Sequence, residues 1–236
     1  MIKKKFNYNK IEYGFSDNIF HKNKGIRSAW HHIKFNFIKK RIKKKNNHLD
    51  IGCGSGTFLS LLRNRFSVGL DISQKQINFA NKVYGNKKRK FVTYKKKFNL
   101  KKNFFHSVSI IELIEHLSDT QIDNLLNQVH GVLKTGGRVY ITTPNYFSLW
   151  PLLEIILNKI SEVSYEHQHI NKFNYNKIKK IIDNKKFKIN LCNSFVLFSP
   201  FLAFFSFKLS MTISKFENIF TKVIPGFLLF IEVEKK

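Results

Sequence analysis

The stretch "NHLDIGCGSGTFLSLL", residues 47–62, sets Gly52, Gly54 and Gly56 in one turn of a chain that has only 11 glycines. A strand-like apolar run precedes the turn and a helix-like apolar run follows it. Such a bend brings bare backbone N–H groups at a helix start close to a ligand. The spacing is G-x-G-x-G with Thr57 after it, whereas dinucleotide sites use G-x-G-x-x-G, whose third glycine lets helix and strand approach. Asp50 stands two residues before the first glycine. Its charge would repel a pyrophosphate and suits a ligand that carries an ammonium group. Asp71, in "VGLDIS", ends the next strand-like run, where a carboxylate accepts two hydrogen bonds from ribose hydroxyls.

Other residues able to do chemistry lie further on. "SIIELIEHLSD" carries Glu112, Glu115 and His116, and "YEHQHINKF" carries Glu166, His167 and His169. Histidine is the usual proton acceptor at neutral pH, so His116 and His167 are the candidate bases, with His169 beside them. For His116 a structural hydrogen bond in the turn that leads into a helix is the competing reading. His167 and His169 with Glu166 resemble a metal pair, but no third ligand is evident, and no metal is expected. Cys53 and Cys192 are the only cysteines and lack C-x-x-C spacing, which argues against a zinc site or a disulfide framework and fits a reducing cytoplasm.

Elements that position these groups alternate β-α from about residue 47, as in a parallel sheet with crossover helices. Strands are expected at "NHLDIG", "FSVGLD", "KFVTY", "FFHSVSII" and "GRVYITT", with two more at "FKINLCNSFVLF" and "GFLLFIEVE". Ser73 with Gln76 and Ser118 with Gln121 have capping-box spacing, stapled by Ile72 and Ile77 and by Leu117 and Ile122. Asn174 is a third cap, with Phe173 and Ile178 as its staple. Before the first strand, Ile26, Trp30, Ile33, Phe37 and Ile38 can share one face of an amphipathic helix. Pro151 suits the start of a helix after the fifth strand.

The 236 residues are long enough for one sizeable core, and 43% are hydrophobic, including 25 Phe, so the chain folds. Charge dominates the composition, with 42 Lys and Arg against 15 Asp and Glu and a formal net charge of +27. Arg occurs only at 27, 41, 63, 65, 89 and 138, whereas proteins that read phosphates favour the bidentate Arg fork. Asn, Ile and Phe are abundant too, the pattern of AT-rich codon drift into tolerant positions. Against that drift, Asp50, Asp71, Glu112, Glu115 and Asp119 all fall in the motifs above. No apolar run follows the charged N-terminus, so no secretory signal is read, and the expected location is cytoplasmic with peripheral contact at a membrane as an extension.

"HLDIGCGSG", "GLDIS", "SIIELIEHLSD", "VLKTGGRVYITTPN" and "YEHQHINKFNYNKIKKIIDNKKFKI" together resemble the class I S-adenosylmethionine-dependent methyltransferases over about residues 47–190. The E-x-x-E-H-L signature is similar to that of ubiquinone-pathway O-methyltransferases and their small-molecule relatives. The resemblance implies a Rossmann-like α/β sheet, mostly parallel with an antiparallel seventh strand and helices on both faces. It implies S-adenosyl-L-methionine as cofactor, held by Asp50, Gly52, Cys53, Gly54, Gly56, Asp71, Ile72, Asn99 and Glu112. The pattern departs from the family where no acid lies between Asp71 and Glu112 to meet the adenine amino group. Asn99 and Phe98 stand there instead. His106 replaces the common Asp of "FDxV", and Thr135 replaces the usual Pro of "LKPGG".

One domain is expected, with a helical cap over 1–46, a cofactor core over 47–198, a hydrophobic lid over 199–226 and a last strand over 227–236. The run "FVLFSPFLAFFSF", residues 195–207, is too short to span a bilayer, which takes ~20 apolar residues. It reads either as a strand running into a packed lid or as a cap for a lipid-linked or aromatic acceptor at a membrane surface. Nucleic acid is the second acceptor class, supported by charge. Yet the "TPN" turn follows strand five rather than strand four, and neither cysteine follows a proline. A cofactor-binding homologue without catalysis is a third reading.

Overall fold

The computed structural model describes residues 12–160, 169–182 and 186–236. Two helices, α1 (Phe15–His21) and α2 (Gly25–Lys39), precede β1 (Asn47–Ile51). There follow α3 (Thr57–Ser60), β2 (Phe66–Asp71), α4 (Gln74–Tyr84), β3 (Arg89–Thr93), β4 (Phe105–Ile111) and α5 (Asp119–Val132). The chain continues through β5 (Leu133–Pro144), α6 (Trp150–Ile160), α7 (Tyr175–Ile181) and β6 (Phe187–Phe195). It ends with α8 (Ser199–Leu202), α9 (Phe207–Ile213) and β7 (Leu228–Lys235), and short 3-10 helices occupy Ile114–His116 and Glu217–Lys222.

One sheet of seven strands runs in the order β3-β2-β1-β4-β5-β7-β6. β3 to β5 pair parallel, and β7 enters antiparallel between β5 and β6, as expected from the resemblance. The strand order reverses beside β1, so loops after β1 and β4 diverge and leave a crevice at the carboxyl ends of the strands. Side-chain alternation supplies two cores. Leu229, Ile231 and Val233 of β7 face α5 and α7, and Leu228 and Phe230 face the α2 side with Phe195 and Tyr140. Each large side chain buried in this way stabilises the fold by roughly 1.5–3 kcal/mol.

Strand limits differ from the expected ones where the backbone turns. β5 begins at Leu133 and takes in the K-T-G-G turn, because Gly136 at φ 70° bends the chain without ending the strand. β6 stops at Phe195, before Val196 at φ 63°. Ser118 and Gln121 make the complete capping box, and the Asn174 side chain accepts from the Lys177 N–H. Ser73 caps α4, but Gln76 does not return the bond. Its Oε1 accepts from Ser55 Oγ at 2.9 Å and Gly14 N at 3.3 Å, and its Nε2 donates to the Glu12 carbonyl, which ties the segment before α1 to the glycine turn. Ile72 is 57% exposed at the end of β2, whereas Ile77 is buried.

α2 has the expected amphipathic character, with Ala29, Ile33, Phe35 and Ile38 buried, and Ile26 exposed. Phe37 stacks on Phe195 at 4.1 Å, and the Arg41 guanidinium covers Phe37 at 3.9 Å. Asp17 of α1 is buried and accepts from Thr57 Oγ1 at 2.7 Å and Tyr84 Oη at 2.6 Å, fastening α1 over α3 and α4. Within residues 199–226, Glu217 is buried and accepts from both Ser199 N and Ser199 Oγ, so the segment is a packed helical layer around α8 and α9. None of the helices among the described residues is long and apolar enough to cross a membrane.

Gly56 gives a direct test of the turn. Its φ is 79°, and a Cβ there would lie 2.6 Å from Phe91 Cε1. Gly56→Ala is expected to destabilise the fold by about 1–3 kcal/mol in urea unfolding. A change below ~0.5 kcal/mol would show that the turn does not need this geometry.

Candidate active site

The glycine turn is closed by Asp71. Gly54 N donates to Asp71 Oδ2 at 2.8 Å, and Ser73 N donates to Asp71 Oδ1 at 2.8 Å. Gly54 itself has φ 50° and open space where a side chain would stand. Burial raises the Asp71 carboxyl above its ordinary value, opposed by these peptide hydrogen bonds. Cys53 shapes the turn from beneath: its side chain is in the core, its N–H donates to the Leu70 carbonyl at 3.0 Å, and burial pushes its thiol up. Gly52 N donates to the same carbonyl at 2.8 Å, so the turn begins on β2.

Asp50 is 2% exposed at the end of β1 and accepts from Ser109 Oγ at 2.5 Å. Burial raises its carboxyl to about 7, the Ser109 bond opposes the shift, and Asp71 adds to it. Behind it the buried His48 ring joins Ser107 Oγ at 2.8 Å and Ser109 Oγ at 2.9 Å. Burial lowers His48 to about 3, so its imidazole is neutral. Because Ser109 gives its proton to Asp50, it accepts from His48 Nε2, and His48 Nδ1 accepts from Ser107. This chain of polar groups orients the Asp50 carboxyl, and sequence reasoning missed it.

Glu112 sits at φ 49° just past β4. It takes a hydrogen bond from Trp30 Nε1 at 3.2 Å and an ion pair from the buried Lys34, both on α2. Burial would raise its carboxyl, but the Lys34 charge and these bonds hold it below the ordinary value. Lys34 was not singled out from the sequence. Its position on the inner face of an amphipathic helix, between Ile33 and Phe35, is the signal that could have revealed it. His31, also on α2, has a buried Nδ1 with no hydrogen-bond partner among the described residues, and burial, aided by Lys34, lowers it to about 3.

Beyond Glu112, Glu115 is 1% exposed and accepts from Thr143 Oγ1 at 3.0 Å. Burial, with the Glu112 charge second, raises it to about 8. His116 and His169 have ring centroids 5.1 Å apart. His169 Nδ1 lies 2.6 Å from Glu154 Oε1 and 3.0 Å from Tyr146 Oη. Burial lowers His169, opposed by Glu154. Asn171 fastens this segment to the β4 turn through Asn171 N to Glu115 O at 3.0 Å and Asn171 Nδ2 to Leu117 O at 2.6 Å.

The structure therefore gathers Asp50, the three glycines, Asp71, Ile72, Glu112 and His116 at the carboxyl ends of β1, β2 and β4. His167 and Glu166 lie outside the described residues. Asn99 is exposed on the loop after β3, and Phe98 packs against Tyr94 with ring centroids 5.1 Å apart. His106 lies at the opposite end of the sheet, where Nδ1 accepts from Asn47 N at 3.1 Å and Nε2 faces Lys134 Nζ at 3.1 Å.

The methyltransferase-domain family matches residues 24–190, and the chain belongs to it. An uncharacterized protein of Methanocaldococcus jannaschii is 30% identical over 174 residues, covering 72% of this chain; this chain spans 62% of that relative's length. An S-adenosylmethionine-dependent methyltransferase from Mesorhizobium loti has a TM-score of 0.62 at 14% identity, covering 86% of this chain and 98% of that one. A putative methyltransferase in complex with the Haloferax volcanii Trm112 activator gives 0.63 at 15% identity, covering 95% and 99%. Geranyl diphosphate methyltransferase, solved with GPP and sinefungin, gives 0.63 at 11% identity, covering 97% and 95%. The structural likenesses establish the fold, and the family match makes this a class I S-adenosylmethionine-dependent methyltransferase domain. The residues present fit that cofactor: an unobstructed turn at Gly54, a carboxyl on each side of it, and the exposed Ile72 beside it.

Asp50 predicts an unusual pH dependence. Its folded carboxyl lies at about 7 against an ordinary 3.8, so the folded state binds the extra proton between those values and stability falls as pH rises through that window. Asp71, Cys53 and His48 are the titratable neighbours. In thermal unfolding of the ligand-free protein from about pH 5 to 8, the wild type should lose stability relative to Asp50→Asn. Parallel curves would mean that Asp50 is ionised throughout.

Proposed function

We propose that this chain moves a methyl group from S-adenosylmethionine to an oxygen of a small or lipid-linked acceptor. The observation that carries the reading is the placing of Asp50 and Asp71 on either side of the bare Gly52–Gly56 bend. Asp71 is suited to the ribose hydroxyls, Asp50 to the ammonium group and Ile72 to an apolar face of the adenine, with Glu112 framing the methionine end. When bound, the cofactor supplies an activated methyl group on a sulfonium, so what the protein adds is position and removal of one proton. His116 stands at the correct edge to accept that proton, and His167 keeps its expected role as a second base.

The acceptor side is bounded by aromatic and apolar groups. Trp30 approaches Trp150 at 5.7 Å and Phe227 at 6.2 Å above the sheet edge. The helical layer beyond exposes Phe204 at 77% and Phe205 at 82%, together with Phe216, Phe220 and Val223. Lys208, Lys215 and Lys222 lie in the same stretch, which suits an anionic membrane surface or a lipid-linked acceptor. The resemblance to ubiquinone-pathway O-methyltransferases points the same way. RNA is the second reading, favoured by the net charge of +27.

Asp71→Ala is expected to weaken S-adenosylhomocysteine binding by roughly 10- to 100-fold in calorimetry, the loss of charge-assisted hydrogen bonds. Unchanged affinity would remove Asp71 from the site. A methyl-acceptor screen reading S-adenosylhomocysteine release should show turnover on hydroxyl acceptors; salt-sensitive turnover on RNA alone would promote the second reading. Phe204→Ser with Phe205→Ser should at least halve co-sedimentation with phosphatidylglycerol vesicles, on the order of 1 kcal/mol or more for two exposed rings. Equal partitioning would exclude this layer as a membrane contact.

A further inference from the structure

The amino-terminal ends of the parallel strands, opposite the cofactor crevice, carry charge that the methyltransferase reading does not use. The register sets Arg89 at the start of β3, Arg65 just before β2, His106 near the start of β4 and Lys134 near the start of β5 along one edge. Four strand spacings separate the ends of this row, about 19 Å. Residues 18–49, 51–70 and 72–111 contain no Asp or Glu. Among the described residues, no carboxylate forms an ion pair with Arg63, Arg65, Arg89 or Lys134. We propose that this edge docks the phosphodiester backbone of single-stranded RNA.

His106, which stands in place of the common Asp of the family motif, gives the sharpest sign. Its Nδ1 accepts from Asn47 N at 3.1 Å, so the neutral ring carries its proton on Nε2. That N–H faces the Lys134 ammonium, with 3.1 Å between the nitrogens. Two donors aimed at each other lack an acceptor, and one anionic oxygen set across both supplies it. Burial lowers His106, and the positive charges of Lys134 and Arg65 lower it further.

Arginine usage agrees. Of the six arginines, Arg41 and Arg138 reach Glu232, whereas Arg63, Arg65 and Arg89 gather at this edge, where the planar fork suits phosphate. Arg89 donates to the carbonyls of Tyr84, Ser60 and Leu62, which braces the wall, and its buried Nε has no hydrogen-bond partner among the described residues. Two adjoining cavities share Leu62, Arg63 and Asn64. One, of about 290 Å³, is lined by Ile42, Leu61 and Leu62 with Lys39 and Lys44; the other, of about 240 Å³, is lined by Arg63, Ser67, Asn86, Lys88 and Arg89. An unstacked base suits the first and a phosphate the second.

A lipid surface fits this edge poorly. Among the described residues, no large apolar side chain is exposed in segments 40–46, 61–66, 84–89 and 101–106, so nothing there inserts among acyl chains. The five residues of β1, roughly 16 Å of strand, separate the edge from the glycine bend. RNA held here is therefore a partner and not the methyl acceptor.

The test is fluorescence anisotropy of a labelled oligouridylate of about 12 nucleotides with the full chain in roughly 0.1 M salt. The wild type should bind with steep salt dependence. Arg63→Glu, Arg65→Glu and Lys88→Glu together should weaken binding by at least ~10-fold and flatten the salt slope by about 2. His106→Asp alone should weaken it by ~3-fold or more. A control carrying Lys208→Glu, Lys215→Glu and Lys222→Glu makes the same change in net charge elsewhere and should lose less than ~3-fold. All six reversed side chains are exposed, and thermal unfolding checks the fold of each variant. Equal losses in the two triple variants, or a wild type that does not bind, overturn the dock. An edge variant that keeps the RNA but loses phosphatidylglycerol vesicles assigns the surface to lipid and overturns it too. The methyltransferase reading is decided separately, by S-adenosylhomocysteine binding.

Discussion

Four carboxyl groups, those of Asp50, Asp71, Glu112 and Glu115, crowd the carboxyl-terminal edge of one sheet and are largely withdrawn from water. Desolvation makes such a group costly when charged, and neighbours of the same sign raise the cost. Asp50 feels Asp71, and Glu115 feels Glu112. Every surrounding feature answers that constraint. Peptide N–H groups are aimed at Asp71, a serine and a buried neutral histidine stand behind Asp50, a lysine and a tryptophan reach Glu112, and a threonine reaches Glu115. Burial thus holds Asp50 and Glu115 toward their neutral forms, while Lys34 offsets the charge of Glu112.

The covering helices follow from the same need. α2 lies over the sheet because Ala29, Ile33 and Ile38 bury one stripe, and that stripe delivers Lys34 and Trp30 to Glu112. α1 is fixed through Asp17 to Thr57 and Tyr84, so the N-terminal helices are anchored to the elements that flank the glycine turn. At the other end, Glu217 with Ser199 secures the layer that exposes Phe204 and Phe205. The N-terminal helices and the layer around α8 and α9 thereby grip different parts of one sheet.

Much of this was legible in the residues. The glycine bend, Asp71 and the Ser118–Gln121 box obey local rules, in which a few consecutive residues decide the geometry. The mostly parallel sheet with its antiparallel seventh strand followed from β-α alternation and the family motifs. What escaped the sequence was set by distant contacts. Lys34 reads as one more lysine among many, and only the docking of α2 makes it the partner of Glu112. His48 reads as a strand residue until β4 places Ser107 and Ser109 on either side of its ring. Gln76 fits a capping box by spacing, yet Ser55 and Gly14 compete for its carbonyl. The scarcity of acids was the most useful global clue: among 15 Asp and Glu, those at 17, 50, 71, 112, 115, 154 and 217 all have structural partners.

A crystal structure of the chain with S-adenosylhomocysteine decides whether Asp50 and Asp71 grip the cofactor across the glycine bend. Both ribose hydroxyls should lie on the Asp71 carboxylate, with the sugar and amino-acid chain running across Gly52–Gly56 and the ammonium group on the Asp50 side. Density for the ligand at any other part of the sheet edge, or with the glycine bend empty, would contradict it.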